Sequence, residues 1–72
     1  MTLTELRKSK SLKAREVGRR MGMTHVNVLR LESSGSAPLS TLERYADAIG
    51  DELMIVIEAA QETRRSKPPV AA

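Results

Sequence analysis

The chain has no cysteine, phenylalanine or tryptophan, a single tyrosine, Tyr45, and a single histidine, His25. Each absence removes a class of chemistry. Without a thiol there is no disulfide framework, thiolate metal site or cysteine nucleophile, and one imidazole cannot build a metal cage alone, so neither metal nor cofactor is expected. One aromatic ring is too few for the stacking platforms that grip single strands or RNA loops. No paired nucleophile and base and no phosphate-cradling glycine loop occur, so no enzyme is expected. Long apolar runs are also missing. The longest, Leu53-Met54-Ile55-Val56-Ile57, is far too short to cross a bilayer, and the opening Met1-Thr2-Leu3-Thr4 has no basic-then-apolar secretory pattern. These features predict a cytoplasmic chain with no membrane partner and no small-molecule ligand.

What is present is 72 residues, room for one small domain, with strongly segregated charge. Residues 7–31 hold Arg7, Lys8, Lys10, Lys13, Arg15, Arg19, Arg20 and Arg30 against the single acid Glu16. Residues 32–62 reverse this, with Glu32, Glu43, Asp47, Asp51, Glu52, Glu58 and Glu62 against Arg44 alone. A polyanion is drawn to the first half only, although a basic stretch is also what an ordinary solvated helix carries.

Periodicity divides the chain into short helices. Thr2 and Glu5 have the spacing of a capping box, and Leu3 and Leu6 lie one turn apart, so a helix is expected over residues 2–10. Ala14, Val17, Gly18 and Met21 share one face of a second helix, which Gly22 stops. A third begins at Thr24, a good N-cap residue, keeps Val28 and Leu31 inward, and ends in Ser33-Ser34-Gly35-Ser36-Ala37-Pro38. Leu39, Leu42, Tyr45, Ala46 and Ile49 recur at helical spacing before Gly50, which gives a fourth helix over residues 40–49.

Leu53 to Glu58, with two isoleucines and a valine in an unbroken apolar run, suits a short β-strand, the competing reading being an apolar helix packed on the first four. A lone strand needs a neighbour for its backbone groups, and no second strand-like run exists, so Leu53, Met54, Ile55, Val56 and Ile57 are expected to pair with the same segment of a second copy. The expected organisation is therefore a domain over residues 1–60 and a mobile basic tail over residues 61–72.

The join between the second and third helices carries the functional signal. Two short helices crossing steeply need a glycine in the tight turn, a small residue where they touch, and apolar positions that lock the pair. Gly22, Gly18, and the set Val17, Met21, Met23, Val28 and Leu31 fill those requirements between Ala14 and Leu31. With Arg7, Leu12, Glu16, Thr24, Glu32, Pro38 and Leu42, these residues resemble the Cro/repressor-type, or XRE-like, helix-turn-helix family over about residues 3–50. The stretch from Ser40 to Leu53 with the apolar segment after it is most similar to HigA-type antitoxin DNA-binding domains.

The resemblance implies an all-α, lambda-repressor-like fold of four short helices plus the C-terminal strand, binding double-stranded DNA as a homodimer. It places the start of the third helix in the major groove, with His25, Val26 and Arg30 facing base edges and Thr24 and Asn27 reaching backbone or neighbouring bases. Arg30 can pair with guanine O6 and N7, and Val26 offers a methyl surface to thymine. Leu29 meets either a thymine methyl or a partner copy. Lys13, Arg15 and Arg20 are expected at phosphates, and Arg7 and Glu32 occupy the positions of an ion pair bracing the reading helix from behind. The family pattern is broken at Ser11, where glycine is usual, at Lys13, where Ser or Thr caps the helix, at Ala14, where Gln contacts phosphate, and at Gly35, a displaced glycine. The implied function is a transcriptional regulator, a repressor at an inverted-repeat operator, and as antitoxin one of a pair. The alternative is a protein-binding module whose main role is neutralising a partner toxin.

Overall fold

A computed structural model describes residues 1–66 of the chain. Its element order is α1 (Leu3–Ser9), α2 (Ala14–Met21), α3 (His25–Ser34), α4 (Leu39–Ile49) and α5 (Leu53–Ser66), with no strand among the described residues. No helix there is long and apolar enough to cross a membrane.

Local chemistry accounts for the helix ends. Thr2 and Glu5 close a reciprocal capping box on α1: the Glu5 N–H donates to Thr2 Oγ1 at 3.2 Å and the Thr2 N–H to Glu5 Oε1 at 2.8 Å. Thr24 caps α3 by accepting from the Asn27 N–H at 3.2 Å. Lys13 stands at the α2 cap position and contributes no side-chain bond. Gly22, Gly35 and Gly50 end α2, α3 and α4 in the left-handed conformation. Ser11, in the α1–α2 connection, also takes a positive φ of 58°, a conformation that glycine adopts without strain.

The α2 and α3 helices pack chiefly on each other, and α5 lies across α1, α3 and α4. Leu3, Val17, Val28, Tyr45 and Val56 are fully buried where these elements meet.

The α5 helix replaces two expectations. Leu53, Met54, Ile55, Val56 and Ile57 form its first turns, not a dimerisation strand, and the described residues form five helices where four were expected. A helix satisfies its own backbone groups within one chain, whereas a strand here needs a second copy. Val56, Ala59, Ala60 and Thr63, at helical spacing, are all buried. The boundary placed after residue 60 falls inside this helix. Residues 61–66 are helical, not tail, and are anchored by Thr63, whose hydroxyl accepts from the Leu3 N–H at 3.0 Å and donates to the Ala59 carbonyl at 2.8 Å. The rest of the expected tail lies outside the described residues.

Candidate nucleic-acid interface

The α3 helix has two faces that are built differently. Its inner face carries Val28, Leu31 and Glu32, all buried. Glu32 is the hub of a buried polar cluster: Arg7 Nε donates to Oε2 at 2.6 Å, Tyr45 OH donates to the same oxygen at 2.6 Å, and Thr4 Oγ1 donates to Oε1 at 3.2 Å. Arg7 Nη1 also donates to the Leu12 carbonyl at 2.9 Å, so one guanidinium ties α1, the connection into α2, and α3. The Tyr45 hydroxyl also lies 3.2 Å from the Leu3 carbonyl, and burial, then the bond to Glu32, holds its pKa far above the ordinary value. No buried side-chain polar atom among the described residues lacks a partner.

The α2–α3 turn fixes where α3 starts. Gly18 lies against it so closely that an added Cβ would stand 2.7 Å from the Met23 carbonyl oxygen. The Met23 N–H donates to the Gly18 carbonyl at 2.8 Å, and Gly22 makes the turn with φ 71°.

The outer face of α3 is open. Thr24, His25, Val26, Asn27, Leu29 and Arg30 are exposed, Val26 by 45% and Leu29 by 46%. Arg30 has no ion-pair partner among the described residues. The geometry therefore brings together on one helix the five residues expected to reach DNA from there: Thr24, His25, Val26, Asn27 and Arg30. Thr24 is the one whose hydroxyl oxygen already serves the helix start.

The basic residues of α2 divide. Lys13 and Arg15 are exposed and, with Ser11, Leu12, Glu16 and Arg19, line a shallow cavity of about 350 Å³ at the start of α2. Arg19 approaches Glu16 at 3.8 Å. Arg20, expected at a phosphate, is engaged elsewhere: Nε lies 3.5 Å from Glu16 Oε1 and Nη1 donates to the Ala48 carbonyl at 2.7 Å. Arg44 on α4 returns the contact by donating to the Met21 carbonyl at the end of α2. Each arginine thus satisfies a carbonyl in the last turn of the other's helix, where cations are favoured.

Sequence reasoning missed this exchange and the parts of Thr4, Tyr45 and Thr63. Thr63 could have been found, because it lies seven residues after Val56, on the same helical stripe. The carbonyl partners of Arg20 and Arg44 leave no trace in the sequence.

Among the described residues no group of three or more His, Asp or Glu side chains is placed to hold a metal ion. No protein-family model, curated protein or solved structure matches this chain.

Proposed function

We propose that the protein is a sequence-specific double-stranded DNA-binding regulator of the helix-turn-helix kind, with α2 and α3 as the paired helices and α3 as the reading helix. The observation that carries this reading is the division of α3: an outer row of His25, Val26, Asn27 and Arg30 left exposed, and an inner face held by the buried Arg7–Glu32–Tyr45 cluster. A groove-reading helix needs both, an open set of side chains and a backbone that does not rock. Lys13 and Arg15 supply the sequence-independent attraction to phosphate.

Two copies acting together would present their reading helices to half-sites about 34 Å apart, so an inverted repeat is the expected operator and occlusion of a promoter the simplest mode of repression. Of the segment expected to join the copies, Met54 and Ile55 stay exposed, by 64% and 40%, whereas Val56 is consumed by the core of its own chain. Met54→Glu should then convert a dimer to single copies in sedimentation.

The test of DNA binding is selection from a random duplex pool followed by gel shift. Binding should weaken steeply with salt, by about 0.9 in log–log slope for each phosphate contact. Arg30→Ala should relax sequence choice by about 1–3 kcal/mol at one base pair, whereas Arg15→Ala weakens all duplexes alike. Failure to retain any duplex, or salt-insensitive retention, rejects the reading.

A second reading, neutralisation of a partner toxin, is favoured by one feature. Between α1 and α5 a cavity of about 200 Å³ is lined by Met1, Leu6, Ile55 and Ala59 and edged by Glu58 and Glu62, an apolar floor with an acidic rim. That combination suits a basic protein partner. Co-purification of the product of a short basic reading frame beside the gene, lost on Glu58→Lys, supports it.

A further inference from the structure

We infer that Arg44, on α4, is a positioning residue for the reading helix: by holding the Met21 carbonyl it fixes the α2–α3 turn, and through the turn the direction in which α3 enters the groove. This rests on the DNA-binding reading above and adds to it a residue that lies on neither of the paired helices.

Arg44 is the lone base among residues 32–62, with Glu43 beside it and Asp47 one turn on. It nevertheless has no ion-pair partner among the described residues, although Asp47 lines the same shallow cavity, of about 320 Å³, with Arg20 and Ala48. Its guanidinium donates to the Met21 carbonyl. Met21 is the last residue of α2, so that carbonyl has no amide of its own helix to accept from.

The Met21–Gly22 peptide is where the chain leaves α2 for α3. Gly22 takes φ 71° and, lacking a Cβ, turns more freely than any other residue type. Toward Gly18 the turn is secured by backbone, the Met23 N–H donating to the Gly18 carbonyl at 2.8 Å. On the side where a Cβ of Gly22 would point, the only atom beyond its chain neighbours within 4 Å is Arg44 Nη2, at 3.8 Å. The turn is thus held from one side by α2 itself and from the other by α4. Arg20, the partner in the exchange, differs in this respect. It bridges the same two helices, but its carbonyl belongs to Ala48, in the last turn of α4, which leads to α5 and not to α3. The two arginines tie α2 to α4 alike, and one of them lands on the link to the reading helix.

The experiment compares Arg44→Met with Arg20→Met, each of which removes one guanidinium–carbonyl bond between α2 and α4. Amide hydrogen exchange on the free protein reads the turn without DNA. Arg44→Met should speed exchange of the Met23 amide, and of the Asn27 amide that donates to the Thr24 hydroxyl, by about fivefold, the value of one exposed hydrogen bond. It should lower the preference for the selected duplex over a scrambled one by a similar factor. Arg20→Met should lower the thermal midpoint as much while changing neither readout. Exchange left unchanged by Arg44→Met, or quickened equally by Arg20→Met, overturns the inference, as does faster exchange with the duplex preference intact. Equal weakening of the selected and scrambled duplexes makes Arg44 a phosphate contact and also overturns it. Retention of no duplex by the unaltered protein rejects the DNA-binding reading and the role of Arg44 with it, whereas each of the other failures leaves DNA binding standing.

Discussion

On the inner face of α3 the Glu32 carboxylate is buried and takes bonds from Arg7, Tyr45 and Thr4, whereas Arg30, two residues earlier on the outer face, is exposed and has no ion-pair partner among the described residues. The same helix thus carries one charge whose every bond is internal and another that stands exposed with no ion-pair partner among the described residues. A buried ion pair is weak evidence for stability, because desolvation offsets much of its attraction, but it fixes geometry: a planar guanidinium facing a carboxylate admits few orientations. In a protein this small, with one aromatic residue in the core, orientation of the outer face is set by polar contacts as much as by packing.

The comparison breaks most severely at Glu32. Glu32→Ala leaves the Arg7 guanidinium buried with only the Leu12 carbonyl and removes the nearer of the two acceptors of Tyr45, so chemical denaturation should show a loss of about 3–5 kcal/mol. Replacing the whole cluster by apolar residues of similar volume, Arg7→Met with Glu32→Leu and Tyr45→Phe, should recover most of that loss. Recovery of stability without recovery of duplex binding would separate the orienting role of the cluster from its energetic one. A single loss below about 1 kcal/mol would show that the cluster is not desolvated as described.

Gly18→Ala comes next. The new methyl meets backbone, the Met23 carbonyl, which cannot rotate aside as a side chain can, so α2 and α3 must part by a few tenths of an ångström. The expected cost is about 1–3 kcal/mol in a denaturation series. The same methyl would stand 3.2 Å from the Thr24 carbonyl carbon and 3.3 Å from the His25 nitrogen at the start of α3, so an accompanying loss of sequence preference would show that the outer face depends on the helix–helix register.

Ser11→Gly has the opposite sign. Ser11 holds a left-handed backbone, with its N–H donating to the Lys8 carbonyl at 2.9 Å, just before the Leu12 carbonyl that Arg7 engages. Relief of that strain should stabilise the protein by about 1 kcal/mol, or ~4–8 °C in Tm for a domain of this size, and calorimetry reads it directly. A lower midpoint would mean that the Ser11 side chain contributes more than its backbone costs.

The sequence made some of this arrangement legible and hid the rest for identifiable reasons. The first four helices follow from apolar spacing and from stop signals such as Gly22 and Gly50, which act over a single turn and need no tertiary context. Leu53 to Ile57 misled because five apolar residues fit either period, and because the stripe that resolves them, Val56, Ala59, Ala60 and Thr63, extends past Glu58 into residues read as tail. Which side of α3 is open follows from Val28 and Leu31 alone. That Arg20 is drawn to the Ala48 carbonyl, 28 residues away, does not follow from any local pattern, and neither does the choice of Tyr45 as the hydroxyl on Glu32.

Proton binding separates the buried cluster from the exposed carboxylates by sign. The Tyr45 hydroxyl is raised from its ordinary value of 10.0 by burial and by the bond to Glu32, so its contribution is complete below pH 10 and is lost as the pH climbs beyond it. Glu5 and Asp51 are lowered from 4.5 and 3.8: the Thr2 backbone N–H and hydroxyl hold the first ionised, and the Glu52 N–H and then Lys10 hold the second. Their contributions are complete above those ordinary values and fade as the pH falls through the lowered ones. Glu5 is exposed to solvent and Asp51 is half-buried beside Lys10, and neither belongs to the buried cluster, so the acid limb of a Tm-against-pH curve should be shallower than the alkaline limb. Glu5→Gln with Asp51→Asn should flatten the acid limb, and Tyr45→Phe should make the alkaline one shallower. An alkaline limb that Tyr45→Phe leaves unchanged would place the Tyr45 hydroxyl in contact with water, and the bracing of α3 from behind would then have to rest on Arg7 and Thr4.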